Sequence, residues 1–416
     1  MVDDWKTIRV CNNGAPAGRR IDPIPWEGGD EEFSVKITDR ELESLRDEKG
    51  EISFEKVLQW SLPRFGDDDD VSLFEWQAAR MRNYMTMIIE DKSYKPRYYK
   101  DGKTITTDHV ARFYGMLLAK MLSGNPSYKQ MFSTREIFDA IEPVKNSMTL
   151  DAMKDLSRCL HFADDWEEEE EDEEWEEKYS DGKEEAADTT ARHRKKFSMV
   201  EDAYNRRWQA MVNFGKWITA DESRVAGWYH SVITCGPGKF RPICCFVRFA
   251  DAPCCLFIEP KPIRTGATMH SICVTKGPLA TYKLFVRVYG GVFDADLNNK
   301  HPNTVGLLKF VTLYSIMLAS FFGKGHCLVM DSAYMGDAMA LIGRFVWLIN
   351  MIGTVQSNRT GAGGMGNEAI KEKEIQKGKY NSLFYQHKEQ PLTYAIWADN
   401  NFVKVLSNFH SPEVAV

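Results

Sequence analysis

The chain has 416 residues, 43% of them hydrophobic, which is enough for two or three domains with real cores. Its longest strongly apolar stretch, residues 310–322, is too short and too interrupted by Thr and Ser to cross a bilayer. The formal charge of −7 argues against a polyanionic partner only until it is located: residues 164–177 hold twelve acids and no base, and without them the rest of the chain carries about +5.

Residues 1–67 are rich in Pro, Gly and charge and are expected to be partly ordered at best. No basic flank followed by an apolar core opens the chain, so no secretory signal is expected and the Asn358-Arg-Thr360 sequon should go unused. In such an intracellular chain nine cysteines do not imply a disulfide framework. The adjacent pairs Cys244-Cys245 and Cys254-Cys255 do not have the spacing of a zinc site.

Residues 68–163 read as a helical domain. Apolar residues recur at three and four over 72–89 and 106–124, and Thr149 stands where an N-cap would start a helix over 150–161, without the Glu or Gln of a full capping box. An acidic then basic linker follows over 164–196. Its acidic block repels itself and should be disordered, while Arg192, Arg194, Lys195 and Lys196 reverse the sign. Two readings stand for these four residues: a solvated charged loop, or a DNA-facing patch that the acidic tract masks.

Residues 197–214 again have helical spacing, and then the texture changes. Short β-rich runs fall at 216–225, 270–276, 282–291, 326–332 and 348–357, with a long helix pattern at 303–322. This order predicts an α/β core, a mixed sheet with helices packed on it. Three motif-like strings read as turns: "GAGGMG" at 361–366 is separated from its strand by four residues, "DADLNN" at 294–299 lacks the Gly and Glu of a calcium loop, and "GPGK" at 236–239 lacks the Ser or Thr of a phosphate loop.

The chemistry concentrates in two acids. Asp331 closes the apolar run 326–330 just ahead of a helical pattern, and either it N-caps a helix beginning near Ser332 or it sits at the carboxyl edge of a sheet, where open α/β folds keep ligands. Asp221, followed by Glu222, is placed in the same way in the run 216–225. Two aspartates on neighbouring strands can share one or two Mg²⁺ ions, since hard cations prefer carboxylate oxygens. Strand alternation turns Glu222 to the opposite face.

These residues resemble the transposase domain of piggyBac-type DNA transposons and their transposon-derived descendants, from about residue 70 to about 410. The similar stretches, in order, are "MTLDAMKDLSRCLHFADD", "ITADESRV", "PKPIRTGATMHSICV", "GHCLVMDSAYMGDAMALIGR", "IGTVQSNR" and "WADNNFVKVLSNFH". Arg264, His270, Gln356 and Asn401 depart from the residues that the family has at those places. The resemblance implies an RNase H-like mixed sheet core over 197–416 with a helical N-terminal domain. It implies Asp221 and Asp331 as catalytic and metal-binding residues, Mg²⁺ or Mn²⁺ as cofactor, double-stranded DNA at transposon ends and a second copy of the chain as partners, and a nuclear location. The family's third catalytic Asp follows the Trp-x-Asp run. Asp399 aligns within that run and is no substitute, so the expectation is a catalytically incomplete transposase. Residues 238–259 have no counterpart and read as an insertion or a translated intron. The alternatives are a non-catalytic DNA-binding or protein-interaction module, and an unrelated metal-dependent phosphoesterase.

Overall fold

In a computed structural model, residues 5–8, 19–29, 32–66, 70–102, 104–122, 131–132, 146–160, 162, 185–226, 255–257, 265–288, 307–379 and 381–411 are described. The chain splits into two compact units, one built from Leu42–Arg207, the other from Met1–Glu41 and most of the chain from Trp208 onward.

The first unit is helical. Its strands are two short pairs of residues, and its main helices are α1 (Phe54–Ser61), α2 (Leu73–Glu90), α3 (Thr107–Leu122), α4 (Leu150–Cys159) and α5 (Glu185–Ala210), the last running past the unit's boundary. Helices α1 to α4 each start on a short hydroxyl side chain. Ser53, Ser72 and Thr149 accept from the backbone N–H three residues on. Thr106 and His109 cap reciprocally, the His109 N–H on the Thr106 hydroxyl at 3.3 Å and the Thr106 N–H on His109 Nδ1 at 3.2 Å. In α2 the buried residues Leu73, Trp76, Gln77, Met81, Met85 and Ile88 make one stripe at helical spacing. Met81, Met85 and Ile88 pack with Phe113, Met116, Met153 and Leu156 from α3 and α4. Helices are therefore present where apolar spacing placed them over 72–89 and 106–124 and after Thr149, as far as residues 122 and 159.

One expectation is corrected here. Residues 185–196, expected as part of the linker, are the first half of α5, so Arg192, Arg194, Lys195 and Lys196 lie on a helix. The acidic tract 164–177 lies outside the described residues. Within residues 1–67, expected to be partly ordered at best, the described part includes α1 with its Ser53 cap.

The second unit is built around a sheet of ten strands among the described residues, with a separate ladder of Ser34–Val35 against Val212–Asn213. The ten strands are β1 (Trp5–Ile8), β2 (Trp217–Ala226), β3 (Cys255–Phe257), β4 (Thr265–Val274), β5 (Lys283–Val288), β6 (Cys327–Met330), β7 (Asn350–Thr354), β8 (Ser382–His387), β9 (Thr393–Ala398) and β10 (Phe402–Ser407). The central order is β5-β4-β2-β6-β7: β5, β4 and β2 form an antiparallel meander, while β6 lies parallel between β2 and β7. Past β7 the sheet continues antiparallel through β10, β9, β8 and β1. The five β-rich runs read from the sequence are the five central strands. The strands beyond them were not expected. Edge strand β3 lies inside the suspected insertion 238–259 and pairs with residues 265–267 of β4.

Helices α6 (Leu307–Met317), α7 (Asp337–Ile342) and α8 (Gly363–Lys371) belong to this unit, and a single 3₁₀ turn, Ala319–Phe321, follows α6. The helix expected over 303–322 is thus shorter at its C-terminal end, and residues 303–306 lie outside the described ones. "GAGGMG" is not a turn: its last four residues open α8. Its glycines serve close packing, since a Cβ on Gly363 would lie 1.9 Å from the Ser357 carbonyl oxygen and one on Gly366 would lie 2.4 Å from Ile396 Cδ1. "DADLNN", "GPGK" and Cys244, Cys245 and Cys254 lie outside the described residues.

At the amino-terminal end of β6 a strap from the start of the chain crosses the sheet. The Ile24 N–H donates to Asn350 Oδ1 at 2.8 Å, and Asn350 Nδ2 returns to the Ile24 carbonyl at 2.9 Å. His326 is fully buried beneath it, among Trp26, Phe214 and Phe321, with Nδ1 2.9 Å from the Gly215 carbonyl. Burial holds its pKa down at about 4.

Candidate metal and nucleic-acid site

The carboxyl ends of β6 and β7 lie level with the middle of β2, and the sequence puts a polar side chain on each of the three strands there. Ala220 and Met330 are register partners in parallel strands, so Asp221 and Asp331 are the next residues along, on strands about 4.8 Å apart. Both are exposed. The structure therefore brings together the two acids singled out in the sequence.

Each uses one oxygen locally. Asp221 Oδ1 accepts from the Glu222 N–H at 2.7 Å; Asp331 Oδ1 accepts from the Ser332 N–H and, at 3.4 Å, from the Thr354 hydroxyl at the end of β7. Among the described residues neither carboxylate makes an ion pair. Adjacent like charges without a cationic partner repel. A divalent cation relieves that repulsion, and the donor set, exposed carboxylate and hydroxyl oxygen, suits a hard ion. No group of three or more His, Cys, Asp or Glu able to hold a metal occurs among the described residues.

The capping reading of Asp331 is overturned. No helix begins near Ser332: the chain turns over 332–334, and α7 begins only at Asp337, with Gly336 as its N-cap and no side-chain cap bond. The turn itself is held by the Tyr334 and Met335 N–H groups on the Asp331 carbonyl, at 3.1 and 3.0 Å.

Behind this site lies a buried polar and aromatic cluster that local sequence reading missed. The Tyr334 hydroxyl donates to Glu222 Oε2 at 2.8 Å and lies 3.5 Å from Nδ1 of buried His270. Tyr314 and Phe310 pack edge-on against the Tyr334 ring at 5.2 and 4.9 Å. Burial, and then the charges of Asp221, Glu222 and Asp331, raise the Tyr314 pKa far above the phenol range, so it stays protonated. Burial likewise raises that of Tyr334. The one signal in the sequence was His270, which stands where the resembling family has Lys.

The helical unit holds a second missed residue. The carboxylate of Asp155 on α4 is buried and accepts the Tyr94 hydroxyl at 2.6 Å and the N–H groups of Arg97, Tyr98 and Tyr99 at 3.0, 2.7 and 3.1 Å. It thereby shapes a loop whose Lys92, Lys95, Arg97, Tyr98 and Lys100 are exposed. Of Arg192, Arg194, Lys195 and Lys196 the structure gives the helical backbone of α5, in the unit that also holds this loop.

The strand order and the placement of the acids define an RNase H-like mixed α/β core. Comparison with known proteins agrees. Residues 77–232 match the family model described as Transposase IS4, a match that takes in Asp221 and ends before Asp331. The fold is similar to that of a piggyBac transposase solved by cryo-electron microscopy as a synaptic complex with hairpin DNA, with a TM-score of 0.53 and 16% identity over 80% of this chain. The chain spans about 60% of the length of that transposase. No curated protein matches the sequence. The fold is thus that of the piggyBac transposase core, in line with the resemblance that the ordered motifs carry. Among the described residues no helix is long and apolar enough to cross a membrane.

Proposed function

We propose that this protein is a transposase-derived DNA-binding protein that holds a divalent cation, Mg²⁺ or Mn²⁺, between Asp221 and Asp331 and does not itself turn over DNA. The observation that carries the reading is the pair of exposed carboxylates one step past the Ala220–Met330 register pair, with no cationic partner among the described residues. A divalent ion there supplies Lewis-acid polarisation of phosphodiester oxygens. Asp221, Asp331 and the Thr354 hydroxyl are the groups that would hold it. Two-metal hydrolysis needs enough ligands to fix both ions, and Asp399, which falls within the Trp-x-Asp run, is no substitute for the third acid of the resembling family; this supports binding without turnover.

Double-stranded DNA is the partner this reading implies, and nuclear location and pairing with a second copy belong to it. The exposed basic and aromatic loop 92–100 and the run Arg192, Arg194, Lys195 and Lys196 support it, since Lys and Arg neutralise phosphates and release counterions. The decisive experiment is a Mn²⁺ titration of wild type, Asp221→Asn and Asp331→Asn, beside a nicking and strand-transfer assay on transposon-end DNA. Saturable Mn²⁺ binding lost in both variants, with no product in either assay, supports the proposal. Cleavage that disappears in Asp331→Asn would show a complete enzyme instead.

A further inference from the structure

The two acids are held in different ways. Asp221 lies inside β2, which runs on to Ala226 and pairs it with Ser271 of β4. Asp331 lies just outside β6, which ends at Met330. A residue past the end of its strand is not located by the ladder, so its position depends on what grips the turn that follows.

Two side chains grip it, from opposite sides. From the β2 side, Glu222, next to Asp221, accepts the Tyr334 hydroxyl at 2.8 Å. From the β7 side, the Arg359 guanidinium donates to the Ala333 carbonyl. Gly336 allows the close approach: a Cβ there would lie 3.0 Å from the Arg359 carbonyl oxygen. The Tyr334 ring is buried and braced by Phe310, Tyr314 and His270, so its hydroxyl is a fixed point.

We propose that Tyr334 and Arg359 are positioning residues that set the spacing of Asp331 from Asp221, and through that spacing the choice of cation. The inference rests on the reading of the two aspartates as a cation-binding pair. Its physical content is selectivity. Mg²⁺ is small and demands near-ideal octahedral geometry at short distances, whereas Ca²⁺ accepts more ligands in looser arrangements. A turn gripped from both sides holds the carboxylates at one separation. Releasing either grip lets them spread, which costs Mg²⁺ more than Ca²⁺.

The test measures Mg²⁺ and Ca²⁺ affinity by calorimetry for wild type, Tyr334→Phe, Arg359→Met, Arg359→Lys and Asp331→Asn, with metal-free melting recorded for each. Tyr334→Phe removes one hydroxyl and keeps the packed ring. It and Arg359→Met are expected to weaken Mg²⁺ binding about 10-fold, the scale of outer-shell substitutions at metal sites, and Ca²⁺ binding less. The Mg²⁺/Ca²⁺ affinity ratio therefore falls in both, and Arg359→Lys, which keeps a donor, recovers part of it. If Asp331→Asn abolishes binding while Tyr334→Phe and Arg359→Met leave the ratio unchanged, whatever happens to melting, the positioning role is overturned and the cation pair stands. If Asp331→Asn leaves Mg²⁺ binding intact, the cation pair itself is wrong.

Discussion

Buried His326 makes the sheet unit sensitive to mild acid by a calculable amount. Its ordinary pKa is 6.5 and burial lowers it to about 4 in the folded chain. Between those values the unfolded chain takes up a proton that the folded chain refuses. The stability contributed by the neutral imidazole is therefore complete above about pH 6.5 and is lost as pH falls towards 4. At 1.36 kcal/mol per pKa unit the full loss is about 3 kcal/mol, of which about 2 is gone by pH 5, before most carboxylates titrate. The variant His326→Phe keeps an aromatic ring against Trp26 and Phe321 but cannot titrate. It leaves the Gly215 carbonyl without its 2.9 Å partner, a cost of about 1 kcal/mol near neutrality. Urea unfolding of both proteins near neutrality and at about pH 5 is the assay, followed by a signal from the sheet unit. Wild type should lose about 2 kcal/mol more than the variant over that range, so that its advantage shrinks or reverses. Parallel pH dependence of the two proteins would refute the reasoning.

Other outcomes follow from single contacts. Asp155→Ala strips the acceptor from one hydroxyl and three buried or half-buried N–H groups and should destabilise the helical unit by about 3 kcal/mol or more, read by denaturant titration of its helical signal. Thr149→Ala removes the cap on the Ala152 N–H and should cost about 1 kcal/mol in the same assay. Asp331→Asn should raise metal-free melting, because it relieves repulsion with Asp221, and should abolish the upward shift on adding Mn²⁺. Deleting residues 164–177 removes twelve acids and should raise non-specific DNA affinity and steepen its salt dependence, measured by fluorescence anisotropy across a salt series.

The sequence by itself determined what depends on near neighbours. Ser72 and Thr149 cap helices because a short hydroxyl reaches an N–H three residues on, whatever the rest of the chain does. The apolar stripe of α2 and the central strands are legible for the same reason, since side-chain period and backbone geometry are tied within a few residues. Asp221 and Asp331 could be marked as acids at the ends of apolar runs. That β2 and β6 lie side by side, so that the two acids meet, is set by strand order over more than a hundred intervening residues, a non-local matter that periodicity does not carry. The order of six motifs suggested it only by resemblance. Whether Asp331 capped a helix was also a tertiary decision: the turn gripped by Tyr334 and Arg359 delays α7 to Asp337. Asp155 shows the same limit, because an acid amid an amphipathic helix reads as solvated until folding brings residues 94–99 over it. Buried polar groups have to find partners, and which partners they find is decided when the elements pack.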